Sequence, residues 1–184
     1  MRVETTELLD VRVFRPVPFP DDRGLFTRTF DARIFDEVIG PTGVRASDLL
    51  QDSQSRSVRG VVRGMHGRSG RGEAKLVRCA HGAVHDVLVD IRRDSPTFGR
   101  HQVFRLDDIE FAHLFVPPGF LHGFQALTDT ADVCYRIDRE HNPVEDIAVR
   151  YDDPDLAIVW PLPLTVLSAR DGAAGSWRDL LAAL

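Results

Sequence analysis

The chain has 184 residues, of which 43% are hydrophobic, so it is long enough to bury a core and is neither disordered nor membrane-like in composition. Its net charge of −5 comes without a run of basic residues, which argues against a nucleic-acid partner because phosphate binding needs clustered Lys and Arg. The absence of an apolar signal segment, and of any stretch of about 18 apolar residues, disfavours export and a membrane partner and predicts a cytoplasmic protein.

Short segments rich in β-branched residues and phenylalanine dominate the chain and predict strands. Turn residues such as Pro117-Pro118-Gly119 separate them. The predicted strands are Val11–Phe19, Gly24–Phe30, Val58–His66, Ala74–Ala80, Ala83–Ile91, Gln102–Leu106, Phe111–Val116, Phe120–Leu127 and Ala131–Ile137. Only Ala32–Ile39 and Ser176–Leu184 are predicted helices. Many short strands without an internal repeat or a long linker predict one all-β sandwich or barrel domain over residues 1–184.

The two cysteines indicate whether the protein belongs to a reducing or an oxidising cellular compartment. Cys79 and Cys134 are far apart in the sequence, and each lies in an apolar run. They are predicted to be buried thiols rather than a disulfide, which suits a reducing cytosol.

Several polar side chains fall on predicted inward faces of strands. The period of two places Asp86 on one face with Leu88 and Lys75 on one face with Val77. On a third strand it places Tyr135 on one face with Val133 and Ile137. A charge on an apolar face is costly unless it is paired or used. One such residue alone is as well explained by a salt bridge at the rim, but several of them in one barrel favour a functional interior.

Two histidines stand in motif positions. His122 ends the segment Pro117–His122, which fits the P-x-G-x-x-H spacing of the second cupin motif. His66 lacks the second histidine of the first cupin motif, because Arg68 stands two residues later. Zinc and iron usually need three or more protein ligands, and only His66, His122 and Glu73 offer a minimal set. The sequence therefore predicts no metal site, with metal binding as a minor alternative.

A series of segments carries a family resemblance over nearly the whole chain. They are Phe19–Phe26, Gln51–Ser55, Arg59–His66, Lys75–Cys79, Val89–Arg92, Asp94–Gly99, Pro118–Phe124, Tyr151–Pro154, Trp160–Pro161 and Ser168–Asp171. In these segments and in this order, the chain resembles the dTDP-4-dehydrorhamnose 3,5-epimerases of deoxysugar biosynthesis. The resemblance implies an all-β cupin-type jelly-roll barrel with few short helices, forming a homodimer that exchanges N-terminal strands.

The resemblance also implies a reaction and its catalytic residues. The reaction is epimerisation next to the ketone of a nucleotide-linked 4-keto-6-deoxy sugar, a small-molecule substrate, by proton removal and return without a cofactor. His66 matches the base and Asp171 the carboxylate that orients it. Tyr135 matches the acid on the opposite face, and Lys75 matches the cation beside the developing oxyanion.

Further positions are implied to hold the substrate. They are Arg23, Phe26, Arg28, Gln51, Ser53, Arg63, His122 and Asp86. Several depart from the pattern of the family, which usually has Glu at Arg28, Asn at Ser53, Phe-Gln at Gly67-Arg68 and an aromatic pair at Glu140-His141. The departures affect the substrate-holding residues and leave open the nucleotide, the sugar, and whether C3, C5 or both are inverted.

Each implied role has a plainer structural alternative. Tyr135 would also suit a barrel as a packing residue, and Lys75 would also suit a strand end paired with Glu73. Asp171 is also a common residue before a turn, and Arg23 would close the Asp21–Gly24 turn by a local ion pair. Two other functions stay open: a metal-dependent cupin isomerase or oxygenase, and a sugar-nucleotide binder without activity.

Overall fold

The computed structural model describes residues 1–184. Its strands are β1 (Arg2–Thr5), β2 (Arg12–Arg15), β3 (Phe19–Asp21), β4 (Gly24–Phe26), β5 (Gln51–Val58), β6 (Val62–Arg68), β7 (Lys75–His81), β8 (Ala83–Asp90), β9 (His101–Asp107), β10 (His113–Val116), β11 (Phe120–Ala126), β12 (Thr130–Ile137) and β13 (Asp146–Ala148). The α-helices are α1 (Ala32–Ile39), α2 (Ala169–Gly172) and α3 (Trp177–Ala183). None of them is long and apolar enough to cross a membrane.

The strands form two facing antiparallel sheets and one hairpin. The six-stranded sheet has the order β1-β2-β10-β7-β12-β5, the five-stranded sheet has the order β13-β6-β11-β8-β9, and β3 pairs with β4 alone. From β10 to β12 the chain alternates between the two sheets, as a jelly roll requires. The prediction of an all-β cupin-type jelly-roll barrel with few short helices is confirmed.

Alternation along β8 explains why this strand is buried on both faces. Val84 and Leu88 point between the sheets and join the largest apolar cluster, which includes Val77 and Val133 of the opposite sheet. Val87 and Val89 point outward and pack under Trp177 and Leu180 of α3. A second cover lies on the other sheet, where Phe35 and Ile39 of α1 pack on Phe14, Leu76 and Phe115. The largest apolar cluster therefore lies between the sheets, and α3 and α1 each cover the outer face of one sheet.

Some predicted elements differ from the structure. The predicted strand Val58–His66 is divided by a turn at Gly60, whose φ of 80° is in the left-handed region that favours glycine. The strand before this turn, β5, was not predicted; it is polar because it is an edge strand paired on one side only. The predicted strand Gly24–Phe30 ends at Phe26. Both cysteines are free thiols, but only Cys79 is buried, whereas Cys134 on the outward face of β12 is half-buried.

Candidate active site

A cavity of about 710 Å³ opens between the two sheets. Residues of β6 and β11 form one wall, and residues of β5, β7 and β12 form the opposite wall. The cavity is lined by Ser55, Arg56, Ser57, Val58, Val61, Val62, Arg63, His66, Lys75, His122, Phe124, Tyr135, Ile137, Val166, Ser168, Arg170 and Asp171. Six of the predicted site residues therefore line one cavity. They are His66, Lys75, Tyr135, Asp171, Arg63 and His122.

His66 and Asp171 form a hydrogen-bonded pair at the wall of the cavity. His66 Nε2 lies 2.5 Å from Asp171 Oδ1, and the two side chains are 34% and 5% exposed. Ser168 caps α2 by accepting a hydrogen bond from the backbone N–H of Asp171 at 3.0 Å. The carboxylate is therefore fixed by a short helix, and it fixes the imidazole in turn, which is the geometry by which a carboxylate orients a histidine base.

The surroundings of His66 favour its neutral form. Burial lowers the pKa of His66 below its ordinary value of 6.5, and the positive charges of Arg170 and Lys75 act in the same direction. The hydrogen bond and charge of Asp171 oppose this shift without cancelling it. At neutral pH the imidazole is therefore unprotonated and able to accept a proton.

A titration of His66 tests this electrostatic description. Because its pKa is lowered, the ring should stay neutral as the pH falls through 6.5 and take up a proton only at lower pH. Asp171→Asn removes the group that raises the pKa, so the midpoint should fall further. The midpoints are measured from the ring-proton NMR signals, assigned by comparison with His66→Asn. A midpoint above 6.5 in the unmodified protein, or a rise in Asp171→Asn, would contradict the description.

Tyr135 faces the cavity from the sheet opposite His66. It lies on β12 of the six-stranded sheet, whereas His66 lies on β6 of the five-stranded sheet. Its hydroxyl lies 3.3 Å from the hydroxyl of Ser55. Burial raises the pKa of Tyr135, and the hydrogen bond with Ser55 opposes this only in part, so the phenol keeps its proton. The cavity thus has a neutral base on one wall and a protonated hydroxyl on the other.

Lys75 supplies a positive charge to the same cavity. Its ammonium lies 2.8 Å from Glu73 Oε1, and its side chain is 13% exposed. The predicted alternative, a pair with Glu73, is thus present, but Lys75 lines the cavity as well. Glu73 also accepts a hydrogen bond from Arg68 at 2.6 Å. One carboxylate is therefore shared between two cations.

His122, which lines the cavity, forms a second and buried pair with Asp86. His122 Nε2 lies 2.8 Å from Asp86 Oδ2, and the two side chains are 6% and 0% exposed. His122 is paired in register with His66 across β11 and β6. Just beyond, a Cβ on Gly64 would lie 2.6 Å from the Cα of Gly123, so glycine is needed for the two backbones to approach.

The remaining predicted binding residues divide into two groups. Arg63 lines the cavity, where its guanidinium donates to Ser57 Oγ at 2.9 Å and to the carbonyl of Arg56 at 3.1 Å. Gln51 and Ser53 do not line it, although they share the face of β5 that carries Ser55.

The other predicted binding residues, Arg23, Phe26 and Arg28, do not line the cavity of their own chain. Arg23 binds Asp21 at 2.6 Å within the exposed hairpin, as the plainer interpretation expected. Arg28 lies 3.2 Å from Asp31. The structure of one chain therefore does not bring these three residues to the site.

Arg170 is a cavity residue that the sequence analysis did not single out. It directly precedes Asp171 within the matched segment Ser168–Asp171, so its position was available as a signal. Its guanidinium donates to Asp146 Oδ2 at 2.8 Å. Arg56, on the edge strand, was missed as well, and it is held by two contacts of 2.7 Å to Asp132.

The three side chains of the metal alternative have other partners. His66 binds Asp171, His122 binds Asp86, and Glu73 binds Arg68 and Lys75. No group of three or more His, Cys, Asp or Glu side chains in the structure could hold a metal ion. The convergence that a metal-dependent cupin needs is therefore not formed.

Comparisons with known proteins identify the family to which the chain is similar. The sequence profile of dTDP-4-dehydrorhamnose 3,5-epimerases matches residues 5–179. A dTDP-4-dehydrorhamnose 3,5-epimerase of Shigella flexneri is 37% identical over 172 residues, 93% of each chain. A dTDP-4-dehydrorhamnose 3-epimerase of Streptomyces niveus is 40% identical over 93% of this chain and 81% of its own.

A solved structure is similar over the same span. It is the dTDP-6-deoxy-D-glucose-3,5-epimerase of Legionella pneumophila in complex with dTDP-4-keto-L-rhamnose, which superposes with a TM-score of 0.88. It is 37% identical in sequence, and the match covers 95% of this chain and 92% of that one. With this profile match and these identities, the chain belongs to the dTDP-4-dehydrorhamnose 3,5-epimerase family.

Proposed function

We propose that this protein is a cofactor-independent epimerase of a dTDP-linked 4-keto-6-deoxy sugar. The observation that carries the proposal is the position of the His66–Asp171 pair and of Tyr135 on opposite walls of one cavity. Inversion of a carbon needs a base on one face and an acid on the other, and these walls offer both. The names of similar proteins describe epimerases of such sugars, and the structure of one of them contains dTDP-4-keto-L-rhamnose.

The base step follows from the state of His66. The 4-ketone acidifies the hydrogens on C3 and C5, and the neutral imidazole takes one of them. The ring then becomes positive, and the buried carboxylate of Asp171 at 2.5 Å stabilises that charge. Electrons from the broken C–H bond move onto the ketone oxygen as an enolate.

Lys75 and Tyr135 complete the reaction. The ammonium of Lys75 stabilises the negative oxygen, an interaction that is strong because the side chain is largely removed from water. The phenol of Tyr135 then delivers a proton to the carbon from the opposite face, and the enolate returns to the ketone. Arg63 and Arg170 would hold the diphosphate, to which guanidinium groups bind well.

We further propose a cytoplasmic homodimer. The β3–β4 hairpin exposes Phe19, Leu25 and Phe26 by 62%, 52% and 67%, which is unusual for large apolar side chains lying together. Arg23 belongs to the same hairpin. Contact of this hairpin with the cavity of a second copy would cover the apolar side chains and would bring Arg23 and Phe26 to a substrate.

Turnover in chelator-treated protein tests the proposed function. We expect the purified protein, dialysed against EDTA, to convert dTDP-4-keto-6-deoxyglucose into an epimer that NMR distinguishes by its ring coupling constants. Calorimetric titration with dTDP on the same sample measures binding separately. Tight dTDP binding without conversion would favour the inactive-binder alternative, and activity that returns only with added metal would favour the metal-dependent one.

A further inference from the structure

A chain of charged groups runs behind the cavity and joins two of its walls. Lys75 Nζ lies 2.8 Å from Glu73 Oε1, and Glu73 Oε2 lies 2.6 Å from Arg68 Nε. Arg68 Nη1 lies 3.5 Å from Asp146 Oδ1, and Asp146 Oδ2 lies 2.8 Å from Arg170. Only the two ends, Lys75 and Arg170, line the cavity. The three groups between them act behind its wall.

The position of Arg68 is fixed from several directions. Arg68 lies two residues after His66 on β6, so the two side chains share a face of the strand. It is paired in register with Asp146 of β13. Its guanidinium also donates to the carbonyl of Asn142 at 2.7 Å. With a side chain only 6% exposed, Arg68 has no open path to a substrate.

The sum of the charges around Glu73 is decisive. Lys75 and Glu73 alone would form a neutral pair, and the ammonium would offer little net charge to the cavity. Arg68 adds a second cation to the same carboxylate. Asp146 beyond it is paired with Arg170 in turn, so the chain of five groups carries one net positive charge. The side chains of Arg68, Glu73 and Lys75 are 6%, 9% and 13% exposed, so solvent screens these charges weakly.

We propose that Arg68 is a positioning residue that binds Glu73 and so leaves the positive charge of Lys75 available to the enolate oxygen. The inference rests on the proposed function, because it assigns a role within the same reaction. Arg68 touches neither the sugar nor the reacting atoms. It acts through Glu73, because it binds one carboxylate oxygen while Lys75 binds the other. Its positive charge thereby offsets the negative charge of Glu73.

Two variants separate this role from simple support of the fold. Arg68→Gln leaves Glu73 to neutralise Lys75, so kcat for solvent-deuterium exchange should fall on the order of 10-fold or more. KM should change little, because the enolate charge exists only after substrate has bound. In Arg68→Gln/Glu73→Gln the opposing carboxylate is gone as well. The charge of Lys75 is uncompensated again, and most of the lost kcat should return.

Arg139→Gln is the matched control, because Arg139 also binds a carboxylate, Glu145 at 2.7 Å, and a backbone carbonyl, that of Gly72 at 2.8 Å. Arg139 does not line the cavity, so this variant should keep the kcat of the unmodified protein. Thermal unfolding and dTDP calorimetry on each variant report whether fold and nucleotide binding persist.

The outcomes are distinct. Unchanged kcat in Arg68→Gln, or a double variant as slow as the single one, would overturn the inference. If Arg68→Gln does not fold, the double variant and Arg68→Lys carry the test. The inference expects both to retain kcat within about 10-fold, and a larger loss in both while folded would overturn it. Absence of exchange in the unmodified protein would instead count against the proposed function itself.

Discussion

His66→Asn should abolish deuterium incorporation next to the ketone while dTDP binding persists. Asparagine retains a polar side chain of similar reach but has no basic nitrogen, so the proton on C3 or C5 has no acceptor. General-base contributions are typically about 10² to 10⁴-fold, and loss of the proposed base should reach the upper part of that range. The exchange rate is measured by NMR in heavy water, and dTDP binding by calorimetry.

The control for this variant is His101→Asn, on an exposed position of β9 outside the cavity, which should exchange at the normal rate. Asp171→Asn should also slow exchange strongly, because the imidazole loses both its orienting acceptor and the stabiliser of its charged form. Near-normal exchange in His66→Asn and Asp171→Asn would remove this pair from the mechanism.

Tyr135→Phe should separate proton removal from inversion. His66 can remove a proton and return a solvent-derived one to the same face without the phenol. The variant should therefore incorporate deuterium next to the ketone yet accumulate little inverted sugar. Phenylalanine keeps the ring that packs against His122 at 6.1 Å between centroids and deletes only the hydroxyl, so the barrel should remain folded.

Tyr151→Phe is the matched control, because it removes the hydroxyl of the only other tyrosine, which does not line the cavity. It should invert the sugar at the normal rate. Full inversion in Tyr135→Phe would show that water or another residue is the acid. Loss of exchange and inversion together in a folded Tyr135→Phe would mean that the phenol stabilises the enolate beside Lys75.

The sequence predicted best those strands in which alternation and burial act together. Ala83–Ile91 and Phe120–Leu127 were predicted within one residue of β8 and β11, since both strands are almost wholly buried and lie between clear turns. By contrast, β5 carries mostly polar residues and pairs on one side only, so its composition does not indicate a strand. Such a segment becomes a strand because it pairs with β12 in the folded chain.

The candidate site shows a similar division. The family resemblance implied the pairs of His66 with Asp171 and of His122 with Asp86, and the structure brings the two side chains of each pair together. The contact from Arg68 to Glu73 was not foreseen, because it joins side chains across a turn between two strands of different sheets. The alternation of residues within one strand does not predict which side chains of different sheets lie close together.

The roles of Arg23, Phe26 and Arg28 remain predictions for a physical reason as well. They lie on or just after a hairpin that pairs with no other strand of its own chain. What such a hairpin contacts is decided by a second molecule, which the periodicity of one sequence does not describe.

Incubation of the unmodified protein with dTDP-4-keto-6-deoxyglucose in heavy water tests the central claim most directly. NMR of the sugar locates incorporated deuterium and reports the configuration at each carbon. Proton abstraction by His66 and return from Tyr135 predict deuterium at C3, C5 or both, with inversion at the labelled carbon. Inversion without deuterium, or an unchanged sugar after prolonged incubation with folded protein, would contradict this mechanism.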